Sequence, residues 1–220
     1  MSDIKQERTK MISSINDRTL LNNGTDMPWL GFGVYKIKDE QEVVNSVKYA
    51  LETGYRSIDT ASVYGNEEGV GRAIRESGIP RGDIFLTTKV WNDDQRGKRT
   101  LEAFEESLKR LKTEYVDLYL IHWPVKDYYK DTWHVMEKIY QSGRARAIGV
   151  SNFMIHHLEE LKKTASIMPM VNQIKLCPGD TKDELVSYCR ENGILVEAYS
   201  PLGTGKVFKV PELIDLASKI

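Results

Sequence analysis

Cysteine is nearly absent from this 220-residue sequence. Only Cys177 and Cys189 occur, too few for a disulfide scaffold, so a reducing cytoplasm is the expected setting. Long apolar runs are missing as well. None approaches the roughly 18 residues of a membrane-spanning helix, and no membrane partner is expected. Nor is there an excess of charge of one sign: 31 basic residues face 32 acidic ones, a net charge of −1. Phosphate binding on the scale of nucleic acid needs a basic surplus, so nucleic acid is not an expected partner. The opening stretch, MSDIKQERTKMISS, has no apolar core for a secretory signal, and residues 1–14 read as a polar extension. Without such a signal, Asn23-Gly24-Thr25 reads as a turn, not a glycosylation site. No linker or low-complexity stretch follows, so residues 15–220 read as one domain. Its 40% hydrophobic content is enough for a real core.

What is there is repetitive. Residues 15–35 suggest a β-hairpin turning at Asn22-Asn23-Gly24. Seven short apolar runs then occur: Leu30–Tyr35, Ser57–Thr60, Ile84–Val90, Val116–Trp123, Ala145–Ser151, Met170–Leu176 and Ile194–Tyr199. Between them, apolar residues recur at helical spacing. Leu101, Phe104, Leu108 and Leu111 form one stripe over Thr100–Leu111, and Val43, Val47, Ala50 and Leu51 form another. Gly54, Gly78, Gly143 and Gly193 each follow a helical segment, where a C-terminal cap needs positive φ. Strand and helix in strict alternation mean parallel strands with right-handed crossovers. The runs start 24 to 32 residues apart, and this regular period favours a (β/α)8 TIM barrel over an open doubly wound sheet. Only seven units are visible. An eighth would need roughly 27 more residues, so the sequence reads as a barrel lacking its eighth βα unit.

Common nucleotide and metal motifs do not fit. Gly31-Phe32-Gly33 and Gly69-Val70-Gly71 lack the remaining glycine or the preceding strand of a dinucleotide fingerprint. Gly205-Lys206 is followed by Val207, which is not a phosphate-binding loop. Gly149-Val150-Ser151-Asn152-Phe153 approaches a hydrolase nucleophile elbow but ends in Phe, leaving Ser151 a weak nucleophile candidate. His122, His134, His156 and His157 show no metal-ligand spacing, and no metal is expected. The stronger signal is positional. Asp59, Lys89 and His122 each close an apolar run, at the barrel end where function gathers. Any one of them alone reads as a cap, a snorkelling lysine or a satisfied core histidine. Three on consecutive strands, each costly to bury, read as a site.

Asp59-Thr60-Ala61 with Tyr64-Gly65-Asn66-Glu67, then Thr88-Lys89, His122-Trp123-Pro124, Gly149-Val150-Ser151-Asn152-Phe153, Asn172-Gln173 and Tyr199-Ser200-Pro201-Leu202-Gly203 occur in order. This series resembles the aldo-keto reductase family, in particular its bacterial members acting on small aldehydes. The resemblance implies NADPH-dependent reduction of a small carbonyl substrate to an alcohol. It makes Tyr64 the proton donor, Lys89 the cation that loosens the tyrosine proton, and Asp59 the partner that holds Lys89. His122 would bind the carbonyl oxygen. Ser151, Asn152 and Gln173 would hydrogen-bond the nicotinamide carboxamide, and Tyr199 would stack on its ring. Ser200 and Leu202 would border the pyrophosphate, Val34 and Tyr35 would border cofactor and substrate, and Trp91 and Trp123 would wall the substrate pocket. General packing at the barrel top competes with that last role.

The family pattern is not followed everywhere. Lys175, Cys177, Pro178 and Gly179 stand where the family shows an acidic residue and then His-Pro-Tyr. The resemblance also assigns the grip on the 2′-phosphate to residues beyond the eighth strand. A second reading is therefore a catalytically impaired barrel acting as an oligomeric or binding protein, self-associating through its open edge.

Overall fold

The computed structural model describes residues 13–219. Most of the polar extension expected at residues 1–14 thus lies outside the described residues. The hairpin forms as expected: β1 (Arg18–Leu20) pairs antiparallel with β2 (Asp26–Pro28). Its turn is closed by Asn23, whose Oδ1 accepts from the Thr25 N–H at 3.0 Å. The turn is also anchored to the main sheet. Asn22 Nδ2 donates to the carbonyls of Pro169 and Gly193, and Asn23 Nδ2 donates to that of Arg146. Leu21 and Met27 are buried with the core.

Seven parallel strands follow: β3 (Gly31–Gly33), β4 (Ser57–Asp59), β5 (Phe85–Val90), β6 (Val116–Ile121), β7 (Ala145–Ser151), β8 (Val171–Lys175) and β9 (Leu195–Tyr199). Each pairs with the next in sequence order. A doubly wound sheet would reverse direction part-way through; this one never does. It also curls. Strands β4 and β8 are four steps apart, about 19 Å in a flat sheet, yet Gln173 Nε2 on β8 reaches Asp59 Oδ2 on β4 at 2.9 Å. The architecture is that of a TIM barrel, with seven of its strands formed by the described residues.

The helices are α1 (Glu40–Glu52), α2 (Glu67–Glu76), α3 (Asn92–Arg96), α4 (Thr100–Leu111), α5 (Tyr129–Gln141), α6 (Ile155–Lys162), α7 (Asp183–Glu191) and α8 (Pro211–Ala217). Helix α1 starts at Asp39, whose Oδ1 accepts from the Glu42 N–H at 2.8 Å, and buries Val43, Val44, Val47, Ala50 and Leu51. Gly54, Gly78, Gly143 and Gly193 all carry positive φ. Strands β5 and β6 are buried along their whole length, as parallel strands covered on both faces must be. Among the described residues no helix is long and apolar enough to cross a membrane.

One position on α4 departs from the expected stripe. Leu101 is 43% exposed, and the buried face of α4 is Thr100, Ala103, Phe104, Ser107, Leu108 and Leu111. The apolar spacing fits Leu101 to the stripe, but the core-facing arc is centred on Phe104 and Ser107 and takes in small polar residues instead. The short helix α3 was also unmarked by any apolar pattern.

Gly71 lies inside α2 for a packing reason. A Cβ there would stand 2.2 Å from the Leu111 carbonyl oxygen at the end of α4. Two helices meet backbone to backbone, so neither can yield locally. Gly71→Ala should therefore lower unfolding stability by about 1–3 kcal/mol, the usual cost of overpacking. Urea denaturation would read it, and an unchanged midpoint would show that α2 and α4 separate freely.

Candidate active site

The site begins with an ion pair. Asp59 closes β4 and Lys89 lies near the end of β5, their side chains turned into the barrel. Lys89 is 1% exposed, a position in which an unpaired ammonium would be very costly. Its Nζ donates to Asp59 Oδ1 at 2.6 Å, to Asp59 Oδ2 at 2.8 Å and to the Thr60 carbonyl at 2.9 Å. The ammonium carries three protons, and these acceptors can occupy all of them.

Tyr64 sits on a single 3-10 turn, Ser62–Tyr64, just past β4. A lone turn positions nothing by itself, and its neighbours in sequence supply the rigidity. Ser62 Oγ donates to the Lys89 carbonyl at 3.0 Å. Asn66 accepts from Thr60 Oγ1 at 2.7 Å and donates to the carbonyls of Val34 and Ile37. Glu67, buried, accepts from Thr88 Oγ1 and from Arg110 Nε, each at 2.6 Å. The Tyr-Gly-Asn-Glu motif thus ties the loop after β3, the end of β5 and helix α4 to one short turn. With the loop so held, the Tyr64 ring lies 5.3 Å from Lys89 Nζ, 5.1 Å from the Tyr35 ring and 5.7 Å from the His122 ring.

The expected loosening of the Tyr64 proton by Lys89 does not appear in this state. Burial pushes the phenol well above its usual range, and the negative charge of Asp59 adds to the shift. The Tyr35 and Tyr199 phenols act in the same direction, and Lys89 directs its donors to Asp59 and Thr60. Tyr64 is a fully protonated acid at rest. His122 is displaced in the opposite sense. Burial, and then the charge of Lys89, lowers its pKa to about 3, so the imidazole is neutral. Its Nδ1 is buried without a hydrogen-bond partner, and its ring packs edge-on against Trp91 at 5.1 Å.

A second group of side chains comes from β7, β8 and β9. Ser151 Oγ donates to the Gln173 carbonyl at 2.9 Å, and no histidine hydrogen-bonds it. The arrangement does not activate a nucleophilic serine. Asn152, at φ 63°, donates to the His122 carbonyl and to Ser151 Oγ, and its Oδ1 accepts from the Tyr199 hydroxyl at 2.9 Å. Gln173 Nε2 donates to Asp59 Oδ2 and to Glu197 Oε2, both at 2.9 Å. The unusual stretch after β8 is a closed turn in which Cys177 and Asp180 exchange backbone hydrogen bonds.

Contacts therefore join Asp59, Tyr64, Lys89, His122, Trp91 and Tyr35 to Ser151, Asn152, Gln173 and Tyr199. Others stand apart. Val34 is fully buried, its N–H donates to the Asp59 carbonyl and its carbonyl accepts from Asn66 Nδ2, so it lies behind the site and not on its surface. Tyr35 is 62% exposed. Trp123 is largely exposed, and its carbonyl accepts from Gln95 Nε2. Ser200, at φ 50°, and exposed Leu202 open the turn after β9. That turn has further positive φ values at Gly203, Thr204 and Gly205, a reversing backbone of the kind that can offer amides to an anion. The aromatic ring of Tyr199, the Ser151–Asn152 pair and this turn suit a flat amide-bearing ring joined to a phosphate. Sequence reasoning missed Glu197, although it stands two residues before Tyr199 on an apolar strand and so shares its face. It also left Asn66 and Glu67 without roles.

The sequence profile of the aldo/keto reductase family matches residues 29–212. The chain is 54% identical to glyoxal reductase of Bacillus subtilis (strain 168), over 95% of this chain and 76% of that protein. It is 44% identical to methylglyoxal reductase DkgA of Escherichia coli (strain K12), over 90% of this chain and 73% of that one. Among solved structures, MGS-M4, an aldo-keto reductase from a deep-sea metagenome library, is 47% identical with a TM-score of 0.88, covering 91% of this chain and 75% of its own. The Bombyx mori aldo-keto reductase crystallised with NADP is 39% identical with a TM-score of 0.80, covering 86% and 67%.

The neutral state of His122 has a measurable cost in acid. Its pKa lies near 3 in the folded protein against about 6.5 when unfolded, so below pH 6.5 the unfolded chain binds the extra proton. The stability that His122 contributes is complete above pH 6.5 and drains away as pH falls toward 3. Wild type should lose stability over that window more steeply than His122→Gln. Nitrogen-15 NMR should show the imidazole still neutral at pH 5; a protonated ring at that pH would refute the burial argument.

Proposed function

The chain belongs to the aldo/keto reductase family, and from that premise we propose that it reduces small aldehydes and ketones, α-oxoaldehydes such as glyoxal and methylglyoxal among them, to alcohols with NADPH. The observation that carries this reading is the buried Lys89–Asp59 pair beside a protonated Tyr64 and a neutral His122. When bound, NADPH supplies the hydride. Asn152 would accept from the cofactor's carboxamide at Oδ1, its own Nδ2 protons being given to the His122 carbonyl and to Ser151 behind it; Tyr199 would lie against the cofactor's ring, and Ser200 and Leu202 would flank its phosphates. Gln173 offers only its Oε1 there, since its amide N–H groups are given to Asp59 and Glu197.

Tyr64 donates its phenolic proton to the carbonyl oxygen as negative charge grows on that atom. Lys89, 5.3 Å from the ring, stabilises the phenolate left behind, and Asp59 keeps Lys89 oriented. His122 donates an imidazole N–H to the same oxygen; a neutral ring does this without bringing a second positive charge beside Lys89. Trp91, Trp123 and Tyr35 form the apolar rim that limits the substrate to small carbonyl compounds. Free thiols at Cys177 and Cys189 support work in a reducing cytoplasm.

Tyr64→Phe should lower kcat for methylglyoxal by about 10²–10⁴-fold, with little change in NADPH affinity. Absorbance of NADPH followed against substrate concentration gives both values. An undiminished kcat would remove Tyr64 from the reaction.

One further feature supports self-association. Among the described residues β3 and β9 bound the sheet, and Phe208, Ile214 and Leu216 beyond β9 are exposed. Unpaired strand edges beside exposed apolar side chains favour pairing with another copy. Sedimentation of residues 1–220 at micromolar concentration should give a dimer or larger species. A monomer at every concentration would count against it.

A further inference from the structure

One carboxylate in the barrel interior has no part in the chemistry above. Glu197 on β9 is the register partner of Gln173 on β8, and both side chains point inward. Gln173 gives one Nε2 proton to Glu197 Oε2 and the other to Asp59 Oδ2, each at 2.9 Å. Both recipients are carboxylates, so the amide nitrogen must face them and the amide cannot be turned over. A continuous chain of hydrogen bonds therefore runs from Glu197 through Gln173 and Asp59 to Lys89, and Lys89 lies under the Tyr64 ring.

We propose that Glu197 is a positioning residue for Tyr64, acting through Gln173 and Asp59, and that its protonated form is the one that supports rapid carbonyl reduction. The inference rests on the reductase reading given above. Its physical basis is a count of charge. With both carboxylates ionised, the interior holds two negative groups against the one ammonium of Lys89. Protonating Glu197 leaves Asp59 and Lys89 as a neutral pair. The charged groups acting on Glu197 are Asp59 from β4 and Lys89 from β5; β8 contributes the neutral Gln173, the ammonium of its Lys175 being paired with Asp180, and β3 carries no titratable residue. Glu197 is half-buried; its partial removal from water and repulsion by Asp59 push the carboxyl up to about 7, beyond the opposing pull of Gln173 and Lys89.

The consequence for the reaction has a definite sign. When Tyr64 gives up its proton, negative charge appears on its phenolate oxygen. An ionised Glu197 adds a like charge to the same low-dielectric interior and opposes that step; a protonated one does not. Reduction should therefore slow as pH rises through the Glu197 titration. The effect expected is roughly twofold to tenfold, the range a single like charge exerts across a partly screened interior.

The test compares wild type with Glu197→Gln, which keeps the acceptor oxygen for Gln173 and cannot ionise. The kcat of wild type for methylglyoxal should decline above about pH 7, and Glu197→Gln should hold its neutral-pH rate across the same range. Glu197→Asp should restore the decline. A decline retained unchanged in Glu197→Gln would overturn the inference while leaving the reductase reading intact. Carbon-13 NMR of the Asp59 carboxyl supplies a readout independent of turnover. Its shift should bend near pH 7 in wild type and stay flat in Glu197→Gln. A flat Asp59 profile in wild type would overturn the proposal even in a chain without reductase activity, and absence of all NADPH oxidation with a bending profile would refute only the reductase reading.

Discussion

The ammonium of Lys89 is the constraint around which the rest of the site is arranged. A cation with 1% exposure must be matched in charge and in hydrogen bonds, or it destabilises the fold by several kcal/mol. Asp59 supplies the charge and two acceptors; the Thr60 carbonyl supplies a third. Meeting that demand fixes the ends of β4 and β5 relative to each other. The same few residues then do other work. Thr60 also donates to Asn66, which holds the loop after β3, and Ser62 caps the Lys89 carbonyl. Tyr64 inherits its position from this framework instead of from a helix or strand of its own.

Curvature enters through the same pair. Gln173 satisfies part of the Asp59 carboxylate from four strands away, which only a curled sheet allows. Sheet curvature and the electrostatics of the interior are therefore one problem. The inward residues of β4, β5, β8 and β9 at this level are Asp59, Lys89, Gln173 and Glu197, a polar layer in a fold whose interior layers are usually filled by branched apolar side chains. Such a layer is stable only when every donor finds an acceptor. Here Gln173 and Lys89 do so through each other's neighbours.

Much of this was legible in the residues. The seven strands follow from short apolar runs at even spacing, and their sequential order follows from the absence of any break in that rhythm. Asp59, Lys89 and His122 stood out because a polar residue closing a buried run is expensive without a purpose. Other features were hidden for physical reasons. Leu101 fits a helical stripe, but the direction of a core-facing arc depends on where the neighbouring elements lie. The cross-strand partners of Gln173 depend on curvature of the sheet, which no local pattern encodes. Glu197 is one charged residue in an apolar run, and its meaning appears only when β9 is set beside β8. The ionisation of Tyr64 could not be read either. Proximity to a lysine suggests an easily lost proton, whereas burial and the charge of Asp59 hold the proton in place.

Burial acts on the two acid–base groups in opposite directions, and that opposition defines the resting site. Removing water penalises whichever form is charged, so the phenol of Tyr64 keeps its proton and the imidazole of His122 refuses one. Neither group then adds charge to an interior already balanced by Asp59 and Lys89. The site waits with one strongly held acidic proton and one neutral imidazole, their rings 5.7 Å apart. Such a site is matched to a substrate whose own charge develops only during reaction, as a carbonyl oxygen does when it is reduced. A substrate that arrived already anionic would be attracted to Lys89 but would meet a closed ion pair in which the ammonium has no proton to spare. The three hydrogen bonds of one lysine thus leave an anionic ligand no donor from that ammonium in the resting site.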